Sequence, residues 1–329
     1  MNALRKTAMD IFQAQSFDKC PSKYNIINIA ATAGSEPEIV HSSASLNDIE
    51  RQTQEAHFPG SVSSPSLTLV EILYDQSTSG HTFHTSQGDF FKLLKIFQIE
   101  LYSLNMISND MTGFHCLGGD PTGTSITYYL QCFAFKFVWA YDHRSLSTKG
   151  IVLVYDTQRG RKAFSDCVSV MKGDLDLISH PLFPVLAGSI QTMDFMDGLL
   201  RKQYGEVRTV EARTGFHPWQ TDYDVRDDMR ELSDMSRRMS ALLVEVEMIL
   251  RRVKQTRLGL DAFKQPLDNQ GFRNSPEFNN DSSRKSANLA PDGVHILRSK
   301  LEVMEIDFNY VHARAKNQLT AVSPAYYQS

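Results

Sequence analysis

The sequence predicts an α+β protein, a mixed α/β/α head domain followed by a long antiparallel helical stalk. Three observations carry this. Short β-rich runs alternate with amphipathic helical runs up to about residue 220. From Asp222 to Lys264 the apolar residues then adopt a sustained a/d rhythm that no proline interrupts. A second rhythm of the same kind lies near the C-terminus, beyond a polar segment.

The first rhythm runs through Val225, Met229, Leu232, Met235, Met239, Leu242, Val246, Ile249 and Val253, in steps of 4, 3, 3, 4, 3, 4, 3 and 4. Such spacing puts one continuous apolar seam on a helix. A helix from Asp222 to about Leu258 would be roughly 55 Å long, which suits a stalk or one arm of a coiled coil. Thr221, Asp222 and Asp224 offer caps, and Asp227 and Asp228 add negative charge to the first turns. Arg251, Arg252, Lys254 and Arg257 make the far end basic. Each such charge complements the helix dipole by about 0.3–1 kcal/mol.

The second seam comprises Leu297, Leu301, Met304, Phe308, Val311, Ala315 and Leu319, with Pro291 and Asp292 at the expected start and Pro324 at the end. Between the helices, residues 265–290 are rich in Asn, Ser, Pro and Gly and read as a disordered loop. Closing a loop of that length costs on the order of 3 kcal/mol. Each buried seam residue contributes about 1.5–3 kcal/mol, so the seams can pair as a hairpin. They can equally pair between chains.

The head reads in order as follows. Residues 1–64 are sparse in large apolar groups and look poorly ordered, apart from a short strand at Ile26–Ile29. Leu67–Tyr74 is a strand, and the following segment, with His81 and His84, is a loop without metal-ligand spacing. Asp89–Leu104 is one amphipathic helix capped by Asp89. Gly118, Gly119 and Gly123 mark a tight turn and match no phosphate-binding loop. Ser125–Tyr141, apolar on both faces, is one central strand, with Ile151–Tyr155 its shorter neighbour. Helical spacing follows over 163–171 and from Val185 to Leu200, and Gly215 stops the last run. The domains are therefore 1–64, a head over 65–220, stalk helices over 221–264 and 291–322, the loop 265–290 and a tail 323–329.

The chain has 329 residues, 41% hydrophobic and 22% charged, with a formal net charge of −4. That balance supports a core, and the absence of a basic stripe with interleaved aromatics argues against nucleic acid as a partner. Cys20, Cys116, Cys132 and Cys167 form no CxxC, which fits a reduced intracellular protein. No window is long and apolar enough for a membrane span, and the N-terminus lacks a signal h-region. No GxSxG, HExxH or kinase set occurs, so no enzyme is expected and no catalytic, cofactor or metal residue is assigned. His180 reads as a hydrogen-bonded histidine in an apolar setting. Asp174/Asp176 and Asp227/Asp228 read as caps or solvated acids rather than cation ligands.

The segments HPLFPVLAGSIQTMDFMDGLL, EVRTVEARTGFHPW, LSDMSRRMSALLVEVEMILRRV and AKNQLTAV resemble the fungal CorA-like proteins, relatives of the CorA magnesium transporters. The likeness covers roughly residues 85–322. It implies an α/β/α cytosolic domain leading into a long stalk helix and five subunits around a pore. It also implies Mg²⁺ bound between soluble domains to hold the closed state. The family's Gly-Met-Asn signature and both membrane spans are absent, and the sequence after Val322 reads SPAYYQS. The resemblance thus leads to the expectation of a truncated cytosolic domain, not transport-competent alone, with a regulatory role. Its partners would be further copies or a full-length relative, met through the stalk. This chain would be cytoplasmic, and a product continuing into the spans would lie in the membrane. The alternative is a soluble coiled-coil adaptor or scaffold.

Overall fold

Among the described residues, a mixed sheet of nine strands organises the first half of the chain. The computed structural model describes residues 2–18, 21–30, 38–55, 65–77, 80–119, 125–214, 229–262 and 281–322. They divide into two units, one of Met1–Gln191 with Leu258–His295 and one of Thr192–Arg257 with Ile296–Ser329. No helix among the described residues is long and apolar enough to cross a membrane.

In the first unit, helix α1 (Asn2–Gln13) leads to strands β1 (Ser16–Phe17), β2 (Tyr24–Ala30) and β3 (Glu38–Ala44), then α2 (Leu46–Glu55). Next come β4 (Ser66–Ser77), β5 (Gly80–Phe83), α3 (Gln87–Ile96) and α4 (Ser103–Ser108). A meander of β6 (Gly113–Gly119), β7 (Ser125–Gln131), β8 (Phe135–Asp142) and β9 (Ser147–Tyr155) is followed by α5 (Gln158–Gly173). The strand order is β1-β5-β4-β9-β8-β7-β6, with β2 also on β4 and β3 on β2. One edge of β4 is shared: Ser66–Glu71 pairs with β2, and Tyr74–Ser77 pairs with β5. Its other edge runs parallel to β9, with Tyr74 beside Tyr155.

Strand alternation sends side chains to two covered faces. On one face Val70, Ile72, Tyr129, Val138, Ile151 and Leu153 pack with Phe12 of α1, Ile49 of α2, Phe90 and Leu94 of α3, and Leu104 and Ile107 of α4. On the other, Phe135 and Phe137 meet Phe164 of α5, at centroid distances of 5.7 and 6.3 Å. There Trp139 Nε1 donates to the Pro181 carbonyl (3.0 Å) and Tyr141 to that of Ser179 (2.8 Å). A Cβ added at Gly160 would lie 2.1 Å from the Tyr155 carbonyl oxygen, so α5 crosses the end of β9 at a separation only glycine permits. This unit is therefore an α/β/α sandwich, as the predicted fold class requires.

Several boundaries differ from the sequence reading, each for a local reason. Within 1–64, β2 contains the strand expected at Ile26–Ile29, but α1, β3 and α2 are elements that the sequence reading did not place. Few large groups suffice there, because Ala8, Phe12, Ile26 and Ile49 each bury almost completely. The loop holding His81 and His84 contains β5. The helix expected over 89–104 is two helices, and its cap is Ser86, whose hydroxyl accepts from the Asp89 N–H. Gln98 takes φ 56°, and the Ile99 N–H reaches back to the Leu94 carbonyl (2.9 Å), a Schellman-type stop made without glycine. The strand expected over 125–141 is a hairpin. It turns at Phe133–Ala134, where the Cys132 N–H donates to the Phe135 carbonyl (2.9 Å), and no turn-type residue marks it. Gly118, at φ 86°, sits where the β6–β7 register shifts, a bulge within β6, while the turn expected between the strands, with Gly123, lies outside the described residues. The region after the first stalk helix is helical from Asp281, so Pro291 lies inside α8 (Asp281–Ala321) rather than at its start. Ala287, Leu289 and Ala290 are good helix formers, and Asp281–Ser283 offer cap-type residues there. Val225, the caps at 221–228, Gly215–Trp219, residues 265–280 and Pro324 lie outside the described residues.

The second unit is built from the later parts of α6 (Phe183–Thr214), α7 (Met229–Asp261) and α8. It takes in 192–214, which the sequence assigns to the head. Along α7, Leu232, Met235, Met239, Leu242, Val246, Ile249 and Val253 are buried, and along α8 Leu301, Met304, Phe308, Val311 and Ala315. Leu297 and Leu319 are half-buried. Met193, Met196, Val207 and Val210 of α6 complete the interior. Ion pairs set the directions. Arg213–Glu231 and Arg257–Glu305 place α7 antiparallel to both neighbours, and Arg314–Glu211 and Lys300–Asp197 place α6 and α8 parallel. Both seams are thus used within one chain, and α6 supplies the third wall. A polar layer joins Glu211 to Arg314 and Thr214 to Gln318 (2.8 Å), with the Arg314 guanidinium 4.8 Å from the Tyr204 ring centroid. These partners meet in only one alignment of the helices, which fixes the register.

Candidate functional site

Two ionic clusters of the first unit lie at the carboxyl ends of the two parallel strands, β4 and β9. Open α/β sheets commonly present ligand-binding side chains at such ends. Residues alternate between faces, so Tyr74 and Asp75 look in opposite directions and found two clusters.

The cluster on the Tyr74 face is buried. Lys136 of β8 is 1% exposed, and its Nζ lies 2.5 Å from Asp110 Oδ1, 3.2 Å from the Ile107 carbonyl and 4.9 Å from the Tyr74 ring centroid. Asp110 also meets His81 Nε2 (3.2 Å) and accepts from Gln76 (3.0 Å). Oriented with its nitrogen inward, the Gln131 amide donates to the Asp110 and Met111 carbonyls (3.0 Å each). Asp110 ends α4 in the left-handed region, at φ 48°, with the Met111 N–H donating to the Met106 carbonyl (3.0 Å). That stop favours glycine. An aspartate here tolerates the conformation and brings the carboxylate that Lys136 needs. Burial pulls Lys136 below the usual lysine range, and Asp110 opposes the pull. Burial also pushes the Asp110 carboxyl up, but the His81 hydrogen bond and the Lys136 charge outweigh it and hold it at about 2. The folded value lies below the ordinary 3.8. The stabilisation is therefore complete above about pH 4 and is lost as pH falls towards 2. An acid titration of thermal stability is expected to show this loss, and Asp110→Asn to remove it from the profile. With Lys136 closed off from solvent, the cluster holds the fold rather than a substrate.

The cluster on the Asp75 face is more open. His84 Nε2 lies 3.0 Å from Asp75 Oδ2, and its Nδ1 lies 3.6 Å from Asp156 Oδ2. The other Asp156 oxygen accepts from Arg161 Nε (2.9 Å) and Nη2 (2.6 Å) in the first turn of α5. Backbone bonds fix the three elements, since the His84 N–H donates to the Leu73 carbonyl (2.9 Å) and the Asp156 N–H to that of Tyr74 (2.8 Å). One potential ligand atom from each of Asp75, His84 and Asp156 lies within 4.8 Å of the others. Arg161 also borders a polar cleft of about 550 Å³ between α5 and strands β2–β4, with Glu71, His41, Ser165 and Lys172 on its walls.

Sequence reasoning saw His81 and His84 and found no carboxylate at ligand spacing. Their acids stand 29, 9 and 72 residues away in sequence, at Asp110, Asp75 and Asp156, so the fold brings them together: the end of α4 for Asp110, and the pairing of β4 with β5 and β9 for the other two. His180 is hydrogen-bonded as expected: its Nδ1 accepts from the Leu182 N–H (3.1 Å), and burial lowers it to about 4. Asp174 caps the C-terminus of α5. The Asp227/Asp228 pair lies outside the described residues. On the outer side of the bundle, Ile296, Val303, Ile306 and Tyr310 of α8 form an exposed apolar row, each more than half exposed, and Val244 and Met248 of α7 are exposed as well.

No protein-family model matches the chain, and no similar curated protein was found. Fold and sites define an α+β protein that combines an α/β/α unit with a three-helix bundle.

Proposed function

We propose that this chain is the cytosolic domain of a CorA-like metal-ion transport system, non-enzymatic and regulatory, responding to Mg²⁺ and assembling with its own kind or with a full-length relative. The observation that carries the reading is the order of parts. An α/β/α unit is followed in the chain by helices of 32, 33 and 41 residues, and the resemblance of segments 180–200, 206–219, 232–253 and 315–322 implies an α/β/α domain leading into a long stalk helix.

The bundle interior absorbs both heptad seams, so assembly has to use another surface. The row Ile296, Val303, Ile306 and Tyr310 has steps of 7, 3 and 4 and lies along one side of α8. A second helix laid there would remove these groups from water at about 25 cal/mol per Å². Sedimentation velocity tests this. In millimolar Mg²⁺ the wild-type protein is expected to run as an oligomer, and Val303→Glu with Ile306→Glu as a folded monomer. Equal masses for the two would remove the row as the assembly surface.

The exposed row also favours a second reading, a coiled-coil adaptor that recruits an unrelated helix. That reading expects a monomer in isolation at every Mg²⁺ concentration, and Mg²⁺-dependent assembly would exclude it.

A further inference from the structure

Asp75, His84 and Asp156 pose a problem of hydrogen-bond accounting. Both ring nitrogens of His84 face carboxylate oxygens, at 3.0 and 3.6 Å. A neutral imidazole has one N–H and one lone pair. It can therefore donate to only one of the two carboxylates, and its lone pair then confronts an oxygen of the other. Two further facts bear on the site. The acids come from the adjacent ends of β4 and β9, so sheet register holds two negative charges near each other. Arg161 engages one oxygen of Asp156 and leaves the second turned towards the ring. A cation at the ring lone pair, either a second proton or a metal ion, gives both carboxylates a positive partner, and one ligand atom from each of the three residues lies within 4.8 Å of the others, as a shared ion needs.

We propose that Asp75 and His84, with Asp156, form a binding site for one divalent transition-metal ion of the Zn²⁺ or Mn²⁺ class. The ion replaces the proton between His84 Nε2 and Asp75 Oδ2. Those atoms are 3.0 Å apart, close to the separation of about 3.3 Å that two bonds of 2.0–2.1 Å subtend in a tetrahedral site. His84 Nδ1 then faces Asp156 at 3.6 Å, a distance that a small shift closes to a hydrogen bond, and Arg161 holds that carboxylate in place. Metal-bound histidines are commonly oriented by a carboxylate in this way. A small rotation of Asp156 would make its oxygen a third ligand, and water fills the remaining positions on the side where Asp75 is exposed. The nitrogen donor separates this site from a Mg²⁺ site, which prefers oxygen ligands alone. The inference therefore does not rest on the proposed transport role.

The test is equilibrium dialysis of the purified full chain against micromolar Zn²⁺ with millimolar Mg²⁺ present, followed by elemental analysis. Mn²⁺ binding is read in parallel by its electron paramagnetic resonance signal. Wild type is expected to retain one equivalent of Zn²⁺, and His84→Ala and Asp75→Asn to lose at least tenfold in affinity. Asp156→Asn should weaken binding less than His84→Ala. Asp75 is mostly exposed, so Asp75→Asn serves as the variant that folds, and far-ultraviolet circular dichroism in the absence of metal checks each protein. If wild type retains no Zn²⁺, or if Asp75→Asn and His84→Ala bind as wild type does, the cluster is an ion-paired histidine only and the proposal fails. Either result leaves the Mg²⁺-dependent assembly experiment unaffected.

Discussion

Asp110→Asn is expected to destabilise the first unit by about 3 kcal/mol, near the lower end of the range for breaking a buried ion pair from one side. The lower end applies because the Asp110 side chain is one-third exposed, whereas that of Lys136 is 1% exposed. The substitution leaves the Lys136 ammonium inside the sheet with one carbonyl and an aromatic face. Its Asn amide also loses the charge that His81 and Gln76 use. Thermal unfolding should begin roughly 6–12 °C earlier. The companion change Lys136→Met removes both the charge and its desolvation and keeps the volume, so it should cost clearly less than Asp110→Asn. Calorimetry of the two variants decides the matter. Equal losses would mean that the ammonium's ion pair and carbonyl contact outweigh its desolvation, because methionine keeps the packed stem.

Val246→Glu should have an effect at least as large in the second unit. Val246 is fully buried, midway along a seam whose neighbours Leu242 and Ile249 are also buried. The substitution removes an apolar side chain from the interior and places an unpaired carboxylate there, a loss on the order of 4–5 kcal/mol. Hydrogen exchange should therefore accelerate through 232–253 and 301–315 while the sheet amides of β8 and β9 keep their protection. Uniform acceleration across both units would show that they unfold together.

Much of the architecture was legible because it rests on periodicity. The a/d steps from Leu232 to Val253 and from Leu301 to Ala315 mark residues that turn out buried, and the β-rich runs after Leu67 and Ser125 mark the sheet. What escaped the sequence were breaks made without their usual residues. Gln98 and Asp110 end helices where glycine is expected, and Phe133–Ala134 turns a hairpin with no Gly, Asn or Pro. The helical spacing from Val185 to Leu200 was legible, but the place of α6 in the bundle escaped for a different reason. Over 192–214, α6 buries Gln203, Glu211 and Thr214 beside its apolar groups, so its seam is chemically mixed and reads poorly. The ionic clusters were invisible because their members are far apart in sequence. His84 sees Asp156 only after β4 and β9 align in parallel.

The most direct test of the proposed role is a Mg²⁺ titration of the purified chain, with oligomeric mass from native mass spectrometry and thermal stability read together. Binding of Mg²⁺ between assembled copies adds stability by mass action, about 2.7 kcal/mol at a hundredfold excess over Kd. The account predicts that mass and melting temperature rise together as Mg²⁺ reaches the millimolar range, and that Ile306→Glu abolishes both. A chain whose mass and melting temperature stay flat across the titration would contradict it.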